Sequence, residues 1–190
     1  MPAKRASSSL SGGTGDVNPQ TFVIAVTQAA VNTCQSITIP LPVPKYPGQN
    51  NRAIVFELLK AKWMLDNLPQ PAAANISITG YLRTSAFPFA DGTAMTEAQT
   101  FQTRIDPRTI STVSVDGVFF TAAGFAFGDR DKEIDFTDAA GHGLLVATDQ
   151  VTLSINSLNL AAVGSWGVRM EYRLKEVGLA EYIGIVQSQQ

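Results

Sequence analysis

The sequence predicts an all-β protein built as a two-sheet antiparallel sandwich, and three observations carry that prediction. Val168-Arg169-Met170-Glu171-Tyr172-Arg173-Leu174-Lys175 alternates apolar and charged residues without a slip, which only a β-strand converts into one apolar and one charged face. Further β-rich runs, separated by Gly, Pro, Asn and Asp clusters, recur through the 190 residues with little helical period. Asp116-Gly117, between Val113-Ser114-Val115 and Val118-Phe119-Phe120, is a hairpin signal, because a two-residue turn of this kind needs positive φ.

The elements follow in order. Residues 1–18 are rich in Ser and Gly, have no apolar period and read as a flexible arm. Thr21-Phe22-Val23-Ile24-Ala25-Val26-Thr27-Gln28 is apolar on both faces and predicts a buried strand. In the run 36–44, Ile37, Ile39, Leu41 and Val43 share a face and Pro40, Pro42 and Pro44 take the other. Proline cannot donate to a ladder, so that half is an edge or leaves the sheet. After a turn cluster at 47–51, residues 53–65 fit helix or strand. Their β-branched and aromatic content, and the turn-like stop Asp66-Asn67-Leu68-Pro69, favour a long strand.

Ile76, Ile78 and Leu82 alternate with Ser77, Thr79, Tyr81 and Arg83, which predicts a one-sided strand. Residues 86–109 form a long excursion with a short helix over 96–101, where Thr96 and Gln99 have capping-box spacing. A second long loop covers 128–143, then Val151, Leu153 and Ile155 alternate with Thr152, Ser154 and Asn156. About eight strands with unequal loops and no repeat fit a single Greek-key jelly roll better than an up-and-down barrel. The expected organisation is an arm, 1–18, followed by a jelly-roll domain, 19–190.

Composition narrows the function classes. The hydrophobic content of 45% supports a sizeable core without a disulfide, and the single Cys34 cannot pair within the chain. No secretory signal and no membrane-length apolar run stand out, so a soluble, intracellularly made protein is expected. Net charge is −2, but residues 1–15 carry Lys4 and Arg5 and no acid while the remainder is mildly acidic. That pattern argues against a conventional monomeric DNA-binding domain, whose affinity needs many clustered phosphate contacts.

Few residues suggest catalysis. His142 is the one histidine, lies between Gly141 and Gly143, and reads as a surface-loop residue; Cys34 reads as a small packing residue. Asp129, Asp131, Glu133 and Asp135 are spaced like the first ligands of a calcium loop, but Ile134 stands where the turn glycine belongs and Ala140 where the closing glutamate belongs. A solvated, self-paired loop is the expectation, with calcium binding left open. Gly12-Gly13-Thr14-Gly15 lacks the preceding strand and following lysine of a phosphate loop. No metal site and no cofactor are expected. The alternation over 168–175 predicts that the chain ends in a half-buried sheet, and the apolar run 181–190 that follows needs cover.

Ser7-Ser8-Ser9-Leu10-Ser11-Gly12-Gly13-Thr14-Gly15-Asp16-Val17-Asn18-Pro19-Gln20, the strand Val55-Phe56-Glu57-Leu58-Leu59-Lys60, and Glu181-Tyr182-Ile183-Gly184-Ile185-Val186-Gln187-Ser188-Gln189 resemble capsid proteins of small circular Rep-encoding single-stranded DNA viruses, the environmental and circovirus-like group. The resemblance extends loosely over the whole chain. It implies a jelly roll that self-assembles into an icosahedral shell of about 60 copies, encloses a circular single-stranded DNA genome and performs no catalysis. It also implies a virion location after synthesis in the host cell, with the nucleus one compartment for that synthesis, a host receptor of unknown nature and no membrane partner. The family's arm is arginine-rich, whereas this one carries only Lys4 and Arg5. Genome contact would then fall to Lys4, Arg5, Arg52, Lys60 and Lys62, many weak contacts acting together in one enclosed volume. The competing expectation is a carbohydrate-binding sandwich using exposed aromatics and calcium; a carboxylate-dependent hydrolase is a third.

Overall fold

The structure, a computed structural model, describes residues 19–42, 52–66, 75–120, 124–127 and 131–189. Its elements are β1 (Gln20–Thr27), β2 (Gln35–Pro40), β3 (Arg52–Asp66), β4 (Ile76–Arg83), α1 (Glu97–Ile105), β5 (Thr109–Phe120), β6 (Gly124–Phe127), β7 (Asp131–Asp135), β8 (Leu144–Val146), β9 (Gln150–Leu158), β10 (Ser165–Gly178) and α2 (Leu179–Ser188). One sheet has the order β1-β10-β3-β7, with β8 also on β3; the other runs β2-β9-β4-β5-β6. β7 pairs with Lys60–Met64 and β8 with Phe56–Leu58, so the two form one interrupted strand along β3.

With β6 set aside as an addition beyond β5, the pairing has a simple rule. The first strand pairs with the last, the second with the next to last, the third with β7 and β8, and the fourth with the fifth, all antiparallel. A chain paired inward from its ends is one long hairpin wound around a barrel, the jelly roll expected from the sequence. Sequence separation forces the same conclusion: Gln20 lies opposite Tyr172, so the fold closes only when both ends of the domain meet.

The core fills the space between the sheets. Trp63 and Trp166, both fully buried, meet edge to face at 5.7 Å, and Phe56 stacks on Tyr172 at 4.4 Å. Across the core, Gly80 of β4 leaves room for the Trp63 ring, since a Cβ there would stand 2.5 Å from Cζ3. The long-strand reading of 53–65 is therefore correct: Phe56 and Leu58, then Ala61, Trp63 and Leu65, enter the core at alternate positions on either side of Leu59. The capping box is also present: Thr96 Oγ1 accepts from Gln99 N, and Gln99 Oε1 accepts from Thr96 N. The helix extends further than expected, to Ile105.

Five expectations need correction. Asp116-Gly117 is not a turn but lies inside β5, where Gly117 pairs with Ile76 on one side and Phe127 on the other. Two ladders outweigh the local turn preference, and the inward alternation Val113, Val115, Gly117 continues through the dipeptide. β1 is not buried on both faces: it is an edge strand, with Ile24 and Val26 inward and Val23 58% exposed, because no second layer among the described residues covers its outer face. β4 is not one-sided. Tyr81 and Arg83 are as buried as Ile78 and Leu82, since residues 84–108 fold over the outer face of the second sheet. The second long loop contains β7, so Asp131, Glu133 and Asp135 belong to a strand rather than a loop. Finally, the chain closes in α2 rather than in the sheet.

Candidate functional site

The outward face of the β1-β10-β3-β7 sheet gathers most of the charged residues singled out from the sequence. Strand alternation puts Arg169, Glu171, Arg173 and Lys175 of β10 on that face. On β3 the pairing slips by one residue between Glu171 and Tyr172, leaving Leu59 without an opposite. This bulge lets Glu57 and Lys60, three residues apart, both point outward. Lys60 then lies between Glu171 on β10 and Asp135 on β7, and Lys62 between Arg169 and Glu133. The Lys60 ammonium stands 3.5 Å from Glu133 and 3.6 Å from Asp135, and these carboxylates raise its pKa above the usual lysine value. The β7 acids thus neutralise cations that would otherwise form a basic stripe.

Further along the same face, Glu57 is a fully buried carboxylate. Burial alone would raise its pKa, but hydrogen bonds from Arg173 Nε and Gly143 N and the charge of Lys175 outweigh it, and the net shift is downward. Lys175 Nζ lies 3.6 Å away and His142 Nδ1 3.9 Å. His142 itself is half exposed in the loop before β8, as expected, and Gly143 fits only because it has no Cβ: one would lie 2.2 Å from the Leu58 carbonyl oxygen. The cluster is a clamp. Arg173 also donates to the Gly141 carbonyl, so one guanidinium ties β10 to β3 and to the 141–143 turn.

Beyond the clamp the face turns apolar. Ala53, Val55 and Val177 form a small buried cluster roofed by Leu145, Ala147 and Tyr182 of α2. Gln189 pins the far end of α2, its amide donating to the Leu145 carbonyl and accepting from Ala147 N. Yet none of the ten α2 residues is buried, and Leu179 and Ile183 are 40% and 48% exposed. The apolar chain end inferred from the sequence is covered on one side only.

Of the proposed nucleic-acid contacts, the structure brings Lys60 and Lys62 together. Arg52 stands apart at the start of β3, 3.3 Å from Glu176. Lys4, Arg5 and Asp129 lie outside the described residues, as do Val43, Pro44 and the turn residues 47–51 and 67–69. Arg169, Arg173 and Lys175 share the face of Lys60 and Lys62 but were not singled out as contacts. Their alternation already placed them on one side of a strand; which strand lay beside them was the missing fact. Cys34 is fully buried, with Sγ 3.2 Å from the Ala90 carbonyl oxygen, and burial raises its pKa, as suits a packing residue. Among the described residues no group of three or more His, Cys, Asp or Glu could hold a metal ion.

No family model matches this chain, and no curated protein does. Among solved structures it is similar to VP1, viral capsid jelly-roll proteins of polyomaviruses. New Jersey polyomavirus VP1 is 9% identical with a TM-score of 0.48 over 84% of this chain and 100% of that one. VP1 of the Trichodysplasia spinulosa-associated polyomavirus, solved with GM1 oligosaccharide, is 10% identical with a TM-score of 0.49 over 87% and 96%. The VP1 pentamer of Human Polyomavirus 7 is 10% identical with a TM-score of 0.49 over 83% and 95%. These likenesses are distant, and the jelly-roll assignment rests on the strand order itself.

Proposed function

We propose that the chain is a viral capsid subunit whose jelly-roll domain, residues 19–190, self-assembles into an icosahedral shell around a circular single-stranded DNA genome, without catalysis. The observation that carries this reading is the uncovered apolar surface on a completed jelly roll. α2 buries no residue against its own domain, and Val23 on the outer face of edge strand β1 is exposed as well. Edge strands and apolar helices are normally shielded in a solitary protein, and a neighbouring copy would shield both.

Genome contact is assigned to Lys4, Arg5, Lys60 and Lys62, with Arg52 at the margin. The start of β1 lies in the sheet row that carries Lys60, since Thr21 pairs with Glu171 and Glu171 with Lys60. Because β7 offsets part of that charge, each chain contributes little, and retention of DNA depends on many copies acting together.

The carbohydrate-binding alternative, as first framed, has less support. Phe87 packs against Tyr81 and Phe89 rather than standing free, and the described part of the calcium-like spacing is a strand paired with β3, with Glu133 and Asp135 opposite Lys62 and Lys60.

Negative-stain electron microscopy of the purified chain, with absorbance at 260 and 280 nm on the same sample, tests the proposal. Uniform closed particles with a nuclease-resistant excess at 260 nm are expected. A monodisperse small species across wide pH and salt ranges would overturn it, and closed particles without nucleic acid would overturn the genome contact alone.

A further inference from the structure

On the opposite side of the sandwich from the lysine row, α1 lies over the outer face of β4 and β9 and leaves a groove of about 360 Å³. That volume is within the range of small-ligand sites. Its walls mix two chemistries. Met95, Phe101 and Leu158 supply apolar surface, and Phe101 is 61% exposed, a ring open to the groove mouth. Glu97, Thr100 and Arg104 follow one another along α1 at successive turns, with Ser77 and Asn156 on the sheet opposite.

Asn156 gives the floor its character. It is 6% exposed, its Nδ2 donates to Thr100 Oγ1 at 3.3 Å, and its Oδ1 is buried without a hydrogen-bond partner. A buried acceptor without a donor carries a desolvation cost, which a ligand N–H removes after a small turn of the amide. Glu97 and Arg104 oppose one another in charge, so the groove favours no net charge on its ligand. An open aromatic ring flanked by planar amide, carboxylate and guanidinium groups suits a sugar: the ring covers the apolar C–H face, and the planar groups bridge vicinal hydroxyls.

We infer that this groove binds a neutral N-acetylated saccharide, its acetamido N–H donated to Asn156 Oδ1, its acetyl methyl against Met95 and Leu158, and its ring on Phe101. The inference does not require the shell; should the shell form with the lysine row inside, the groove lies on its outer surface.

Saturation-transfer NMR on the full chain, with N,N′,N″-triacetylchitotriose as probe and cellotriose as the control lacking acetamido groups, tests it. Chitotriose is expected to bind, with its acetyl methyls receiving the strongest transfer, and cellotriose to bind at least tenfold more weakly. Phe101→Ala, at an exposed position, is expected to weaken chitotriose binding at least tenfold with an unchanged melting temperature, and Arg104→Ala several-fold. No transfer to chitotriose overturns the site. Equal binding of cellotriose overturns the acetamido assignment, and unchanged binding by Phe101→Ala places any sugar elsewhere. Each readout is independent of whether particles form in the microscope.

Discussion

Single residues in this protein hold the two sheets in position by very different means. Gly80 works by absence: its missing Cβ admits the Trp63 ring, which in turn contacts Trp166. Gly80→Ala should cost about 1–3 kcal/mol through forced repacking, lowering the melting temperature by roughly 2–4 °C per kcal/mol for a chain of this size; differential scanning calorimetry measures it. Asp106 works by charge. It accepts from Arg108 Nε at 3.0 Å and from the fully buried Arg83 at 2.9 Å, and these bonds hold its carboxyl well below the usual carboxylate range despite burial. A carboxyl with a depressed folded-state pKa contributes stability that is present above its unfolded value and lost as pH falls through the folded one. Thermal stability should thus hold from pH 7 to about 5 and decline below about 4, with Glu57 adding to the same decline. Asp106→Asn should remove part of that acid dependence and cost about 3 kcal/mol at pH 7, because Arg83 keeps its charge in a buried place. A chemical-denaturation series against pH measures both.

At the scale of elements, β7 and α2 decide what the molecule presents to others. β7 delivers Glu133 and Asp135 to Lys60, and replacing both acids by their amides frees that ammonium. The Glu133→Gln, Asp135→Asn double variant should retain more nucleic acid per particle, read as a higher 260 to 280 nm ratio; an unchanged ratio would remove this face from the genome contact. The exposed side of α2 makes the opposite kind of prediction. Ile183→Asp, at a position already 48% exposed, should abolish particle formation while leaving the melting temperature of the subunit within about 2 °C, since surface substitutions rarely exceed about 0.5 kcal/mol. Size-exclusion chromatography with light scattering separates the two effects. α1 was legible in advance because a capping box is a local device: Thr96 and Gln99 satisfy each other without help from the rest of the chain. β7 was not legible, since Asp131–Asp135 alternates acids with Lys132 and Ile134 and becomes a strand only because β3 offers it an edge.

For the whole molecule, a net charge of −2 leaves only a few cations for phosphate contact, and contact of that kind predicts salt sensitivity. DNA retained by Lys4, Arg5 and the lysine row should be released from opened particles steeply with rising salt, as counterion release requires, and be lost by about 1 M. Retention insensitive to salt would indicate stacking rather than phosphate contact. The double-sided burial of β4 shows the same dependence on distant parts. Its outward Thr79 meets Ser114 at 2.9 Å, and Arg83 is enclosed by Asp106 and Thr109, so polar residues there are buried through partners that arrive later in the chain.

The sequence by itself determined what depends on neighbours a few residues away: the strand character of 53–65 and 168–175, the capped helix, the edge character of the proline strand, and hence an all-β sandwich. Period-2 patterning and capping are local, and tertiary structure had only to accept them. Tertiary structure alone decided the rest. It overrode the Asp116-Gly117 turn with two ladders, buried the polar face of β4, turned an acidic run into the strand that neutralises Lys60, and assembled the groove beneath α1 from residues between 77 and 158. Each of those outcomes is a pairing between segments distant in sequence, where the gain lies in the partner and leaves no periodic mark on either segment.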